Sequence, residues 1–206
     1  MVELRKRKAA APPPVPMKKR AQTKAPVTAS KATENATCSS AGTVPNVGDV
    51  VNLDEFGGDI ETNDGTKTTL KALVDDSKSG VVLFTYPKAS TPGCTKQACL
   101  FRDEYKKLTS TGLSIYGLSA DSPKANTTFK IKQSLPYPLL CDTMSTLIGA
   151  IGFKKLPRGT TRGVFIIDKA ARVLILQPGS PDATVEAVRH LVLSTLKDGQ
   201  NNKAED

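Results

Sequence analysis

The run Val81-Val82-Leu83-Phe84 is short, rich in β-branched residues and apolar without alternation, the pattern of a strand buried on both faces. Pro87 stops it. From Cys94 to Leu108 the period changes: Ala98, Phe101, Tyr105 and Leu108 recur at helical spacing with charges between them. Leu113 to Ser119 reads as a second buried strand, and Ser122-Pro123 opens a helix running to about Gln133. Strand, helix, strand and helix in this order require a right-handed parallel crossover, with ligands expected at the carboxyl ends of the strands. Upstream, Val47 to Thr69 is turn-rich, with Gly57-Gly58 and Asn63-Asp64-Gly65 marking short antiparallel strands, and Leu70 to Val74 forms a short helix. Downstream, Leu139 to Asp142 reads as a strand end and Met144 to Ile151 as a short helix. Val164 to Ile167 and Arg172 to Leu176 flank the turn Asp168 to Ala171 as an antiparallel hairpin. Pro181 to Leu196 closes with an amphipathic helix carrying Val185, Val188, Val192 and Leu196. The fold class is α/β, a central mixed sheet flanked by helices.

Between the first strand and the helix that follows it lies Pro87-Lys-Ala-Ser-Thr91-Pro-Gly-Cys94-Thr-Lys-Gln-Ala-Cys99, a loop that runs straight into a helix bearing two cysteines. Cys94 falls in the first turn of that helix, where unpaired backbone N–H groups and the positive end of the dipole favour an anion. The anion is a thiolate, the nucleophilic form of the residue. Thr91, three positions upstream, brings a hydroxyl to the same pocket, and Pro87 walls it off from water.

Pro-x-x-x-Thr-x-x-Cys, standing here as Pro87, Thr91 and Cys94, resembles the peroxiredoxin active-site pattern. Thr91 to Asp103, with its second cysteine at Cys99, looks like the PrxQ (bacterioferritin comigratory protein) subfamily, and Thr161-Arg162-Gly-Val-Phe-Ile-Ile-Asp168 is similar to the later segment whose arginine completes the site. The resemblance covers roughly residues 45 to 197. It implies a thioredoxin-like fold and a thiol-dependent peroxidase acting on hydroperoxides without metal or other cofactor. Cys94, Thr91, Pro87 and Arg162 would be the catalytic residues and Cys99 the resolving cysteine, with thioredoxin as reductant and a monomeric state. In a continuous helix, positions five apart have Cα atoms about 8.6 Å from each other, beyond the roughly 7 Å that a disulfide spans. A Cys94–Cys99 bridge therefore requires the helix to unwind, as it is understood to do in PrxQ-like proteins.

Composition separates a tail from this domain. Residues 1–44 contain no aromatic residue, five prolines, nine alanines, and nine Lys or Arg against only Glu3 and Glu34, so most of the net charge of +9 lies there. Such a segment buries too little apolar surface to offset its ordering entropy and is expected to be disordered, leaving residues 45–206 as the folded domain. Arg5-Lys6-Arg7-Lys8 and Lys18-Lys19-Arg20 are two basic clusters nine residues apart. They resemble a bipartite nuclear localisation signal, like the basic tails of fungal nuclear thiol peroxidases, and imply an import receptor and a nuclear location. Nucleic-acid binding through the same charges is the competing reading. The acid-poor tail leaves an organelle transit peptide open, though its prolines oppose the amphipathic helix that a mitochondrial import signal needs, and the lack of an apolar core opposes a secretory signal. No stretch approaches a membrane span.

Each chemical reading has a plainer rival. Cys94 and Cys99 could be packed core thiols, and Arg162 a solvated loop cation. Cys141 reads as a buried strand-end thiol, and Cys38 leaves open an alternative resolver or an intermolecular disulfide. Four cysteines without a disulfide framework suit a reducing compartment. Metal binding is poorly supported, since the cysteine spacing is long for a zinc pair and His190 is the chain's single histidine. Lys154, Lys155 and Arg158 read as surface charges, and Arg102 as a support group paired with Asp103 or Glu104. Two rival functions remain: a redox sensor held on chromatin by the tail, and a general dithiol oxidoreductase, the latter disfavoured because the spacing is not Cys-x-x-Cys.

Overall fold

The computed structural model describes residues 44–201. The tail expectation, its two basic clusters and Cys38 lie outside the described residues. Val44, assigned above to the tail, lies against Gly152, where an added Cβ would approach its side chain to 2.7 Å.

Among the described residues the elements follow one another in the order β1 (Ile60–Thr62), β2 (Lys67–Thr68), α1 (Leu70–Asp76), β3 (Gly80–Thr85), α2 (Pro92–Asp103), α3 (Tyr105–Leu108), β4 (Leu113–Ser119), α4 (Pro123–Gln133), β5 (Leu139–Cys141), α5 (Thr146–Ala150), β6 (Gly163–Asp168), β7 (Val173–Pro178) and α6 (Pro181–Asn201). The strands form one mixed sheet in the order β2-β1-β5-β4-β3-β6-β7. β3, β4 and β5 are parallel, and β6 returns antiparallel on β3 with Val82 opposite Ile166. All six residues of β3 are buried, as its unalternating apolar run requires of a strand covered on both faces.

The two-residue period of the strands sorts the core into two halves. Val82, Phe84, Val164 and Ile166 pack with Phe101 of α2, Phe129 of α4 and Val188 of α6. Val81, Leu83, Phe165 and Ile167 point the other way, to Leu70 and Val74 of α1 and Ile148 of α5. Aromatic rings fill the first half: Phe84 stacks on Phe101 with centroids 4.3 Å apart and meets Tyr137 edge-on at 5.6 Å. Gly117 makes room for this, since a Cβ there would come within 2.8 Å of the Phe84 ring and 2.7 Å of Leu139.

Three elements differ from the sequence expectation. The helix expected to run unbroken from Cys94 to Leu108 is interrupted at Glu104, where φ is −101° and ψ 6°. At that turn the Glu104 carboxylate is gripped by Arg189 of α6, a contact from far along the chain. The helix expected over Met144 to Ile151 begins only at Thr146, because both oxygens of Asp142 accept from its first amides, Thr146 at 2.9 Å and Ile148 at 2.8 Å. The last helix continues past Leu196 to Asn201.

Candidate active site

The carboxyl end of β3 delivers the chain to the loop before α2. Pro92 occupies the first helical position, where its missing N–H costs nothing, and Thr91 is the N-cap residue. The Thr91 hydroxyl does not cap the helix but donates to the carbonyl of Lys88 at 3.0 Å. The amides of Gly93 and Cys94 therefore have neither a partner within the helix nor a capping side chain, and together with the helix dipole they make the first turn of α2 a place that favours an anion. Cys94 is 1% exposed.

Arg162, just before β6, completes the arrangement. Its Nη2 donates to Cys94 Sγ at 3.4 Å, and its Nη1 donates to the Gly93 carbonyl at 3.2 Å and to Gln97 Oε1 at 2.6 Å. The chain before and after Arg162 is fixed: Thr85 at the end of β3 donates to the Thr161 carbonyl at 2.8 Å, and Gly179 N–H donates to the Arg162 carbonyl at 3.0 Å. Gly93 admits the guanidinium, since a Cβ there would lie 3.2 Å from Nη2. A cation that meets the thiol, a carbonyl and a buried amide is no solvated loop charge.

Gln97 was not singled out in the sequence. It is fully buried on α2, one turn after Cys94, with Nε2 donating to Thr184 Oγ1 of α6 at 3.0 Å. A polar residue three positions after the cysteine, on the face that also carries Ala98 and Phe101, was the available signal. The loop ahead of Thr91 is tied down by Asp121, whose Oδ2 accepts from Ala89 N–H at 2.7 Å.

The remaining expectations fall as follows. Pro87, expected to wall the pocket off from water, is itself exposed; it follows the buried Tyr86 at the point where the chain leaves the sheet and turns outward. Cys99 is half-buried on α2 and donates to Gln133 Oε1 at 3.6 Å, with both α2 cysteines free thiols. Cys141 is buried at the end of β5, and burial pushes its thiol up, countered in part by the Asn126 Nδ2 hydrogen bond at 3.1 Å. Arg102 pairs with Asp103 at 2.8 Å and donates to the Gln133 carbonyl at 2.8 Å. Lys154, Lys155 and Arg158 are exposed, as is His190, which sits 3.2 Å from Glu186. Among the described residues no His, Cys, Asp and Glu group has the geometry of a metal site.

A helix that begins beside a buried cysteine at the carboxyl edge of a mixed sheet, with an arginine returning to the sulfur, is the thioredoxin-like fold of the peroxiredoxins. Residues 52–174 match the model of the AhpC/TSA family, and the chain belongs to that family. Family membership makes it a thiol-dependent oxidoreductase of the peroxidase class. It is 38% identical to the putative peroxiredoxin bcp of Coxiella burnetii over 127 residues, 58% of this chain and 82% of that protein. Its likeness to peroxiredoxin bcp1 of Schizosaccharomyces pombe is 46% over 96 residues, covering 47% of this chain and about half (48%) of that protein's length. Among solved structures, peroxidoxin BcpB from Mycobacterium tuberculosis superposes with a TM-score of 0.64 at 32% identity, covering 72% of this chain and 96% of that one. A cysteine mutant of PrxQ from Xylella fastidiosa gives 0.65 at 25% identity, covering 75% and 99%.

Proposed function

We propose that the chain reduces hydrogen peroxide and small alkyl hydroperoxides at Cys94. The observation that carries this reading is the 3.4 Å approach of the Arg162 guanidinium to a buried sulfur in the first turn of α2. The donors around the sulfur divide the work. Arg162 and the amides of Gly93 and Cys94 can only donate, so they suit the peroxide oxygens and the charge that develops on the departing one. Thr91 spends its proton on the Lys88 carbonyl, so its oxygen is left to accept the peroxide O–H. The thiolate attacks the nearer oxygen, the O–O bond breaks, and the departing oxygen takes a proton and leaves as water or alcohol, giving a sulfenic acid. Cys99 then attacks that sulfur, water leaves, and an external dithiol such as thioredoxin returns both cysteines to thiols by exchange. The protein is proposed to act as a monomer.

Stopped-flow mixing of the reduced full chain with hydrogen peroxide, followed by mass mapping of the cysteines, tests the cycle. The expected products are rapid peroxide consumption and a Cys94–Cys99 disulfide. Cys94→Ser abolishes turnover, and Cys99→Ser permits one oxidation but not thioredoxin-supported recycling. Full turnover without Cys94 refutes the assignment, and a bridge from Cys94 to Cys141 or Cys38 replaces the resolver.

The two basic clusters of the tail support a nuclear location through an import receptor. A reporter carrying residues 1–44 is expected to enter the nucleus and to lose that property when Lys18, Lys19 and Arg20 are made alanine; a cytoplasmic wild-type fusion refutes it. The rival, a chromatin-bound redox sensor, requires DNA binding that weakens steeply with salt and disappears without the tail.

A further inference from the structure

Behind Arg162 a chain of hydrogen bonds runs from the sulfur to the start of α6. Arg162 Nη1 donates to Gln97 Oε1 at 2.6 Å, Gln97 Nε2 donates to Thr184 Oγ1 at 3.0 Å, and Thr184 Oγ1 donates to the Pro181 carbonyl at 2.8 Å. The direction of every link is forced from both ends. A guanidinium only donates, so the Gln97 oxygen must face Arg162 and its NH2 group must face Thr184. A carbonyl only accepts, so the Thr184 proton goes to Pro181 and its lone pairs are left for Gln97. Gln97 is 0% and Thr184 1% exposed, so water offers neither a substitute partner.

We propose that Thr184 is a positioning residue for the peroxide-reducing site: by fixing which way the Gln97 amide faces, it fixes the Arg162 guanidinium against Cys94. Without the Thr184 oxygen, the Gln97 NH2 is buried and unpaired at that end. Rotating the amide to relieve this would turn NH2 towards the guanidinium, donor against donor, and push Nη2 off the sulfur. The first turn of α6, 90 positions from Cys94 in sequence, thereby sets the donor geometry on which the thiol chemistry depends.

The inference rests on the peroxidase reading, and one set of measurements separates the two. Thr184→Val keeps the shape and removes the hydroxyl; Thr184→Ser keeps the hydroxyl. Reduced full-length variants are mixed with hydrogen peroxide, and the second-order rate of Cys94 oxidation is followed by rapid quench and mass mapping. Thr184→Val is expected to lose about tenfold, the usual scale for a group that orients a site residue, and Thr184→Ser to stay within about twofold. In an Arg162→Ala background Thr184→Val is expected to cost nothing further, because its effect travels only through the guanidinium. An equal loss in both backgrounds means a general packing defect and overturns the proposal, as does an unchanged rate for Thr184→Val. Should the valine variant not fold, Thr184→Ala carries the same comparison. A wild-type Cys94 that peroxide leaves as a thiol overturns the peroxidase reading and the relay with it, whereas a reactive wild type beside an unchanged valine variant overturns the relay alone.

Discussion

Asn126, buried on α4, serves three groups at once: Tyr86 Oη donates to its Oδ1 at 2.8 Å, and its Nδ2 donates to Ser119 Oγ at 3.2 Å and to Cys141 Sγ at 3.1 Å. Burial is the larger influence on Cys141 and raises its thiol, while the Asn126 hydrogen bond pulls the other way. Cys141 is therefore held as a neutral thiol. Iodoacetamide labelling of the native reduced chain at pH 7.5 is expected to reach half-buried Cys99 well before Cys141, with Cys141 gaining reactivity only as pH climbs past the ordinary thiol range. Equal rates for the two at pH 7.5 would show Cys141 to be open and ionised. The sign for stability follows: a thiol raised in the folded state contributes fully below its unfolded value and loses that contribution as pH rises through the folded one. The residues that sequence patterns left unnoticed are of this kind. Gln97, Thr184 and Asn126 are polar residues on helices whose burial is decided by elements far along the chain, and for Thr184 and Asn126 nothing local distinguishes them from solvent-facing neighbours. Cys94 and Thr91 were legible because a loop and a helix start leave a local signature, whereas Arg162 was reached only through the likeness of the segment from Thr161 to Asp168 to the family.

In the proposed cycle the helix α2 is both the cradle of Cys94 and the obstacle to its resolution by Cys99. Cys94 and Cys99 lie on the same unbroken helix, and positions five apart in a helix are too distant for a disulfide. Several ties hold α2 wound. Tyr137 Oη donates to the Ala98 carbonyl at 2.7 Å, one residue before Cys99, and Arg102 and Cys99 both bond to Gln133 at the end of α4. Unwinding must break the first of these, so Tyr137→Phe removes a hydrogen bond worth about 1 kcal/mol from the wound state. That corresponds to roughly a fivefold faster passage from sulfenic acid to disulfide. Acid-quenched time points of the peroxide reaction, mapped by mass, measure that step directly. A rate unchanged in Tyr137→Phe would mean that the helix opens with the Tyr137–Ala98 bond intact. At this scale the sequence was read well where one face decides the element: β3, β4 and α4 appear where their apolar runs and the Ser122-Pro123 start signal put them. It failed at Glu104, where helical spacing continues through Tyr105 and Leu108 but the helix breaks at the residue that Arg189 of α6 holds.

Arg189 also ties α6 to the α2–α3 break in the middle of the domain. The long helix α6 crosses α2 and α3, burying Val185, Val188 and Val192 in the same half of the core as Phe101 and Leu108. Arg189 grips Glu104 through Nε and Nη2, one donor to each carboxylate oxygen. The hydrogen bonds from Arg189 are the first cause of a Glu104 carboxyl held below its ordinary value. A lowered carboxyl contributes stability that is fully present above the unfolded glutamate range near 4.5 and is lost as pH falls through the folded value. The magnitude is limited, because the Arg189 side chain is 39% exposed and solvent screens the pair, leaving about 1 kcal/mol. Urea denaturation of wild type and Glu104→Gln at pH 7 is expected to differ by that amount, and at pH 3, below the ordinary glutamate range, the difference is expected to be smaller as the wild-type carboxylate takes up its proton. A gap that persists unchanged into acid would assign the loss to packing at the α2–α3 break. A gap of zero at both values would mean that apolar contact alone holds α6 in place, and with it the first turn of α6 that reaches Gln97 and, through it, Arg162.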